Sequence, residues 1–301
     1  MELRELHYYT AYGYSFQSDF ILSEFLDIAP CRSEIHISRV LEEHSSENNN
    51  CELVQAKQIA HGVSFDWDAI GRYEICSGRT IRVIPRKNTT QEIARVPLFG
   101  LALAAVLQQN NLLVLHGSSV EINGSALIIL GEKGFGKSTL TAALLRRGHR
   151  LISDDLVAIS VDFPKIKLLP GIPILKLWPD TIREVGFDID KSRLYYNGIS
   201  KRLCLLKEQF CNDILPIGAI CVLGYGDELK LRNIEAIQRF LHLSSFHYFA
   251  HFHWAFDFAR HAIIFEQNRI VTKNIEMYEL IRFWDLRALD HTSKMIEGLF
   301  S

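Results

Sequence analysis

Gly131-Glu132-Lys133-Gly134-Phe135-Gly136-Lys137-Ser138 lies between an apolar run at 126–130 and a helical stretch at 139–147. The eight residues satisfy the phosphate-binding pattern G-x-x-x-x-G-K-[ST] in the strand, loop and helix setting that gives the pattern its meaning. Glycines let the backbone wrap a polyphosphate without Cβ clashes, so that successive N–H groups and the N-terminus of the next helix point at negative charge. Lys137 would reach the β- and γ-phosphates, Ser138 offers the hydroxyl that holds Mg²⁺, and Thr139 can help cap the helix. Residues Gly131, Glu132, Lys133, Gly134, Phe135, Gly136, Lys137, Ser138 and Thr139 are therefore the expected site for ATP or GTP with Mg²⁺. An α/β fold with a P-loop strand in a mixed sheet follows.

Immediately upstream, 112–122 and 125–130 are two strand-like runs separated only by Asn123-Gly124, a strong two-residue hairpin signal. If the turn pairs Ile122 with Ser125, the register carries His116 across from Gly131 and delivers an imidazole to the edge of the nucleotide site. Downstream, the helix ends at Gly148, and a short run at 150–153 leads into Asp154-Asp155. A carboxylate at the end of a strand next to a phosphate loop can contact the Mg²⁺ shell or an attacking nucleophile. Two adjacent acids repel, so one should be held protonated more readily and serve as a proton acceptor near neutral pH. The blander alternative is a helix N-cap followed by an acidic first-turn residue.

The bulk numbers fit a globular chain. The 301 residues are 48% apolar, ample for a buried core, and the formal net charge is −2 with basic residues scattered, which disfavours nucleic acid as the main partner. Six cysteines show neither C-x-x-C pairs nor zinc spacing and read as buried free thiols of a reducing cytoplasm. No secretory leader or membrane span is expected, since the longest membrane-like run, 96–107, is too short.

Strand alternation at 6–16 and 73–83, the latter turning at Ser77-Gly78, marks a β-rich region at 1–90, with a polar exposed loop at 42–52. Helical pattern runs from 92 to 110, 214–223 reads as a core strand, and the C-terminal part from about 230 reads as helical. Lys201-Arg202 could clamp a phosphate, or simply be a solvated pair. Five histidines at 241–261 (His242, His247, His251, His253, His261) lie among phenylalanines, but without the glutamate of H-E-x-x-H an aromatic helix is preferred to a metal site.

Taken in order, the H-G step at His116, the hairpin, the phosphate loop, Arg147-Gly148-His149-Arg150-Leu151 and Asp154-Asp155 resemble the catalytic domain of the HPr kinase/phosphorylase family over about 112–160. More distant features, including Pro170-Gly171-Ile172-Pro173, Leu177-Trp178-Pro179-Asp180 and Leu215-Pro216, resemble its divergent HPr-kinase-like serine kinases, among them lasso-peptide precursor kinases. The resemblance implies a fold of the HPr kinase/PEP carboxykinase type in a kinase domain at 91–301. It implies Asp154 as the base toward a serine, Asp155 holding metal or lysine, His116 orienting Asp154 or the phosphoryl group, and a homo-oligomer. Two departures stand out: no E-x-R-G segment occurs near Pro170-Gly171, and the basic loop I-P-V-x-P-G-R is missing. A kinase acting on a serine of a peptide or small protein other than HPr is left. The rival readings are a nucleotide-binding regulator or scaffold NTPase without phosphotransfer, and a small-molecule kinase.

Overall fold

The computed structural model describes residues 5–40, 54–67, 70–196 and 199–300. The expected loop at 42–52 and Cys51 lie outside the described residues. The chain divides into two compact units, 1–112 with 251–262 and 113–250 with 263–301.

The first unit is built on an eight-stranded sheet whose hairpins are set by tight turns. His7–Ala11 and Tyr14–Ser18 pair around Tyr12 and Gly13, with φ of 53° and 75°. The single alternating stretch expected at 6–16 is thus bent back on itself, because a turn with two positive φ angles matches the twist of the strands it joins. Gly71–Cys76 and Thr80–Pro85 pair around Ser77-Gly78 as the turn residues predict.

The helix expected over 92–110 is three pieces: Gln91–Ala94, a 3₁₀ turn Val96–Phe99, and Leu101–Gln109. Pro97 has no N–H to donate, and Gly100, at φ −146° and ψ −104°, leaves helical space between the last two. Tyr73 donates its hydroxyl to the Ala94 carbonyl at 2.8 Å, and Gln109 Nε2 donates to the Ile75 carbonyl at 3.0 Å. These bonds tie the helical segment to the first unit's sheet, so the division falls after Leu112 instead of near residue 90.

The second unit carries a nine-stranded mixed sheet. The phosphate-loop strand Ser125–Leu130 is antiparallel to Ser118–Ile122 on one side and parallel to Leu215–Tyr225 on the other. The hairpin register is the one counted from Asn123-Gly124, from Ile122 opposite Ser125 to Ser118 opposite Ile129. There the ladder stops. A Cβ on Gly117 would lie 2.9 Å from the Ile129 carbonyl oxygen, and the chain peels away so that Leu113–Leu115 pairs with Val157–Asp162 instead. His116 therefore stands at a break between two strands, not in a ladder opposite Gly131.

Leu215–Tyr225 is also parallel to Met277–Arg282, which in turn pairs with Lys230–Asn233. Those two strands correct the expectation of a wholly helical C-terminal part. Met277–Arg282 gains its ladder from Leu215–Tyr225, with Ile220 opposite Met277, a partner so far back in the chain that local periodicity cannot register it. Helices Ala236–Ser245, Phe258–Asn274 and Leu289–Glu297 make up most of the remainder. The parallel strands run out on one side, Leu130 level with Val222 and the other two ending together at Tyr225 and Arg282, and this is the carboxyl edge at which ligands of open α/β sheets bind. Beneath that edge Ile128, Leu130, Ile152, Val157, Val222 and Met277 belong to one buried apolar core. A separate three-stranded sheet orders Ile174–Leu177, Ile199–Leu205 and Arg193–Tyr196.

No described helix is long and apolar enough to cross a membrane. Cys204, Cys211 and Cys221 are buried free thiols, whereas Cys31 is exposed. Burial pushes the Cys221 thiol up to about 12 and Cys204 to about 11, as befits unreactive core groups.

Candidate active site

The loop after Leu130 depends on backbone conformations that disfavour a Cβ: Gly134 has φ 90° and Gly136 φ 75°. Helix Lys137–Arg146 starts directly from the left-handed Gly136 with no side-chain cap. Thr139 is therefore not a cap; it lies inside the first turn, with its hydroxyl 3.5 Å from that of Thr181. Lys137 is buried and its ammonium donates to the carbonyls of its own loop, Gly131 at 2.7 Å and Glu132 at 3.3 Å. Burial lowers its pKa, with Asp155 and Asp154 pulling the other way.

Asp154 and Asp155 follow strand Arg150–Ser153, and their backbones differ: Asp155 has φ 66°. That left-handed step sends the two carboxylates in different directions. Asp154 is buried. Its Oδ1 accepts from Ser118 Oγ at 2.5 Å and Ser138 Oγ at 2.9 Å, and its Oδ2 accepts the Lys176 backbone N–H at 3.0 Å. Asp155 instead reaches the cleft and pairs with the Lys176 ammonium at 2.7 Å, keeping 24% of its side-chain exposure.

These environments split the acids. Burial, then the Asp155 charge, pushes the Asp154 carboxyl up. Burial would push Asp155 up as well, but the Lys176 ammonium beside it, helped by His116, holds it well below the usual carboxylate range. Lys176 is raised in return, the Asp155 charge outweighing its own desolvation.

His116 donates from Nδ1 to the Asp155 carbonyl at 3.0 Å, and its backbone N–H donates to the Phe246 carbonyl at 2.8 Å. The ring meets Tyr248 edge-on at 6.1 Å. Burial and the nearby Lys137 charge lower its pKa.

His116, Lys137, Ser138, Asp155, Lys176 and Lys201 all line one cleft of 580 Å³, with Trp178 and Tyr195 on its wall. That size suits a small-molecule or cofactor site. Sequence reasoning missed Lys176 and Tyr195. Lys176 sits between Leu175 and Leu177 in a short strand, a pattern that reads as an outward-facing lysine; here it is 5% exposed, over the Tyr195 ring at 4.2 Å. Of the basic pair, Lys201 enters the cleft, while Arg202 turns away to Ser192, donating to its hydroxyl and, at 2.7 Å, to its carbonyl.

The histidine-rich stretch is not one helix. Ala236–Ser245 ends before His247, and Ala250–Ala255 is a 3₁₀ segment. Among the described residues no group of three or more His, Cys, Asp or Glu side chains is arranged to hold a metal. Mg²⁺ needs no such cage, since it is usually held by one or two carboxylates, waters and substrate phosphates. The hard oxygens of Ser138 and Asp154, 2.9 Å apart beside the loop, fit that habit.

Residues 108–170 match the family model described as HPr Serine kinase C-terminal domain. Curated relatives named HPr kinase/phosphorylase include one from Limosilactobacillus reuteri, 35% identical over 36% of this chain and 36% of its own length. Another, from Clostridium botulinum, is 39% identical over 36% of this chain and 33% of its own. The match thus spans about a third of the relatives' length. Among solved structures, the HPr(Ser) kinase/phosphatase from Coxiella burnetii aligns at 14% identity, over 62% of this chain and 93% of that one, with a TM-score of 0.31. The resemblance to HPr kinase/phosphorylase drawn from the order of motifs is found in the segment that carries those motifs.

Proposed function

We propose that the protein is a Mg²⁺-dependent cytoplasmic kinase that transfers the γ-phosphoryl group of ATP or GTP to a serine hydroxyl of a peptide or small protein. The observation that carries this is the convergence of Lys137, His116, Asp155 and Lys176 on one cleft at the carboxyl edge of the sheet. The relatives' name, HPr kinase/phosphorylase, supports serine phosphorylation of a small protein as the class of reaction.

Phosphoryl transfer asks for positioning and charge neutralisation more than for covalent chemistry. Loop N–H groups and Lys137, released from its own carbonyls, would hold the β- and γ-phosphates. Ser138 and Asp154 would hold Mg²⁺, whose contribution is to offset phosphate charge. The roles of the two acids are best exchanged relative to the order that family resemblance implies. Asp154 already has three donors and little exposure, whereas Asp155 is ionised and open to an acceptor. In the transfer, the serine oxygen bonds to the γ-phosphorus as the bond to the bridging β-oxygen breaks, and the hydroxyl proton passes to Asp155 and on to water. His116 acts as a positioning residue, since its Nδ1–H holds the Asp155 backbone in its left-handed turn.

The test is incubation with γ-labelled ATP, Mg²⁺ and a panel of serine-containing peptides and small hydroxyl-bearing metabolites. Label on serine is the expected result. Label appearing only as inorganic phosphate would favour the regulatory NTPase, and label on a small metabolite the small-molecule kinase; either would overturn the proposal.

A further inference from the structure

The cleft above accounts for only one side of the phosphate loop. His116, Asp155 and Lys176 lie on the Ser118–Ile122 side of strand Ser125–Leu130, and on its other side the neighbouring strands end in Tyr225 and Arg282. There Phe135 of the loop meets Tyr225 with ring centroids 4.9 Å apart, and Tyr225 meets Trp284 at 4.1 Å. Trp284 is 72% exposed, an unusual state for the largest apolar side chain unless something covers it.

Arg282 holds this stack together. It is 4% exposed, sits over the Tyr225 ring at 5.0 Å, and donates from Nη2 to the Phe135 carbonyl at 3.0 Å and the Tyr225 hydroxyl at 3.2 Å. Among the described residues no acid stands beside it and its Nε has no hydrogen-bond partner, and burial lowers its pKa. A buried cation without a carboxylate, bonded to the back of a phosphate loop, is a costly arrangement that an approaching anionic ligand would relieve.

In-line transfer places acceptor and leaving group on opposite sides of the γ-phosphorus. With the acceptor groups on one side of the loop, the nucleoside must leave toward the other. We propose that Phe135, Tyr225 and Trp284, fixed by Arg282, form the nucleobase half of the site, a purine stacking on the open face of Trp284. This rests on the nucleotide-binding reading above. It adds where the base lies and why a purine would be preferred, since a larger π-face gains more from the stack.

The experiment compares binding of ATP and of inorganic tripolyphosphate, each with Mg²⁺, to the full chain and its Trp284→Ala and Trp284→Phe variants by calorimetry. The proposal expects Trp284→Ala to weaken ATP binding about tenfold or more, with tripolyphosphate unchanged and Trp284→Phe close to wild type. Equal ATP affinity in wild type and Trp284→Ala overturns the base site while leaving nucleotide binding intact. Parallel loss of ATP and tripolyphosphate, without rescue by phenylalanine, overturns it in favour of a purely structural stack. Should wild type bind neither probe, the nucleotide-binding reading fails, and the base site with it.

Discussion

Replacing Lys176 by methionine keeps most of the length of the side chain and deletes the charge that reaches Asp155 at 2.7 Å. Removing one member of a buried ion pair costs about 3–5 kcal/mol, because the other charge is left desolvated. Asp155 keeps 24% of its exposure, which reduces the expected loss to about 2–3 kcal/mol near neutral pH. The pH dependence has a definite sign. In the wild type the Asp155 pKa is depressed, so its stabilising contribution is present above the unfolded value of about 3.9 and fades as pH falls through the folded value. In Lys176→Met the largest lowering influence is lost and burial raises the Asp155 pKa against the lesser pulls of His116 and Lys201, so the variant regains stability as acid protonates that group. Its deficit against wild type should therefore be larger at about pH 7.5 than at about pH 5.5. Urea denaturation of wild type, Lys176→Met, Asp155→Asn and the double variant at both pH values measures the coupling directly. The double variant should be less damaged than the sum of the singles by about 2 kcal/mol. Additive losses, or a Lys176→Met deficit that is the same at both pH values, would refute the pairing as the source of the Asp155 environment.

Asp155→Asn should lower transfer to serine by about a hundredfold or more with nucleotide affinity nearly intact, whereas Asp154→Asn should mainly raise the Mg²⁺ concentration needed; the reverse pattern returns the base role to Asp154. Gly134→Ala should cost about 1–2 kcal/mol from its φ of 90° alone, since nothing lies within 4 Å of the new Cβ. Gly136→Ala should cost more, because its Cβ would come within 2.3 Å of Arg282 Nη2, and equal thermal shifts for the two would dismiss that contact. The His116 ring should titrate below the ordinary midpoint near 6.5; an NMR titration with an unshifted midpoint would contradict its burial beside Lys137.

Local signals made the candidate site's part of the chain legible. Asn123-Gly124 dictates a two-residue turn, and from it the observed register follows pair by pair as far as Ser118. Glycine spacing announces the phosphate loop, and Gly148, at φ 98°, ends its helix. What escaped is non-local. No pattern within 112–122 reports that Gly117 has no room for a Cβ against the Ile129 carbonyl, so the break at His116 was hidden. Lys176 looks solvated until Asp155 arrives from another strand, and Arg282 looks like any strand-end cation until the loop folds over it. The adjacent acids show the limit most plainly. Their order in the chain is visible, but which one faces the cleft is decided by a single positive φ at Asp155.

The loop is its own tenant. Lys137 donates to the carbonyls of Gly131 and Glu132, so an anion that takes more than the one remaining ammonium N–H must replace hydrogen bonds already made. A simple monoanion has few oxygens with which to replace them. A triphosphate brings many at once and engages several loop amides in the same encounter. On the proposed nucleotide reading, the contact would therefore favour polyphosphates over simple inorganic anions.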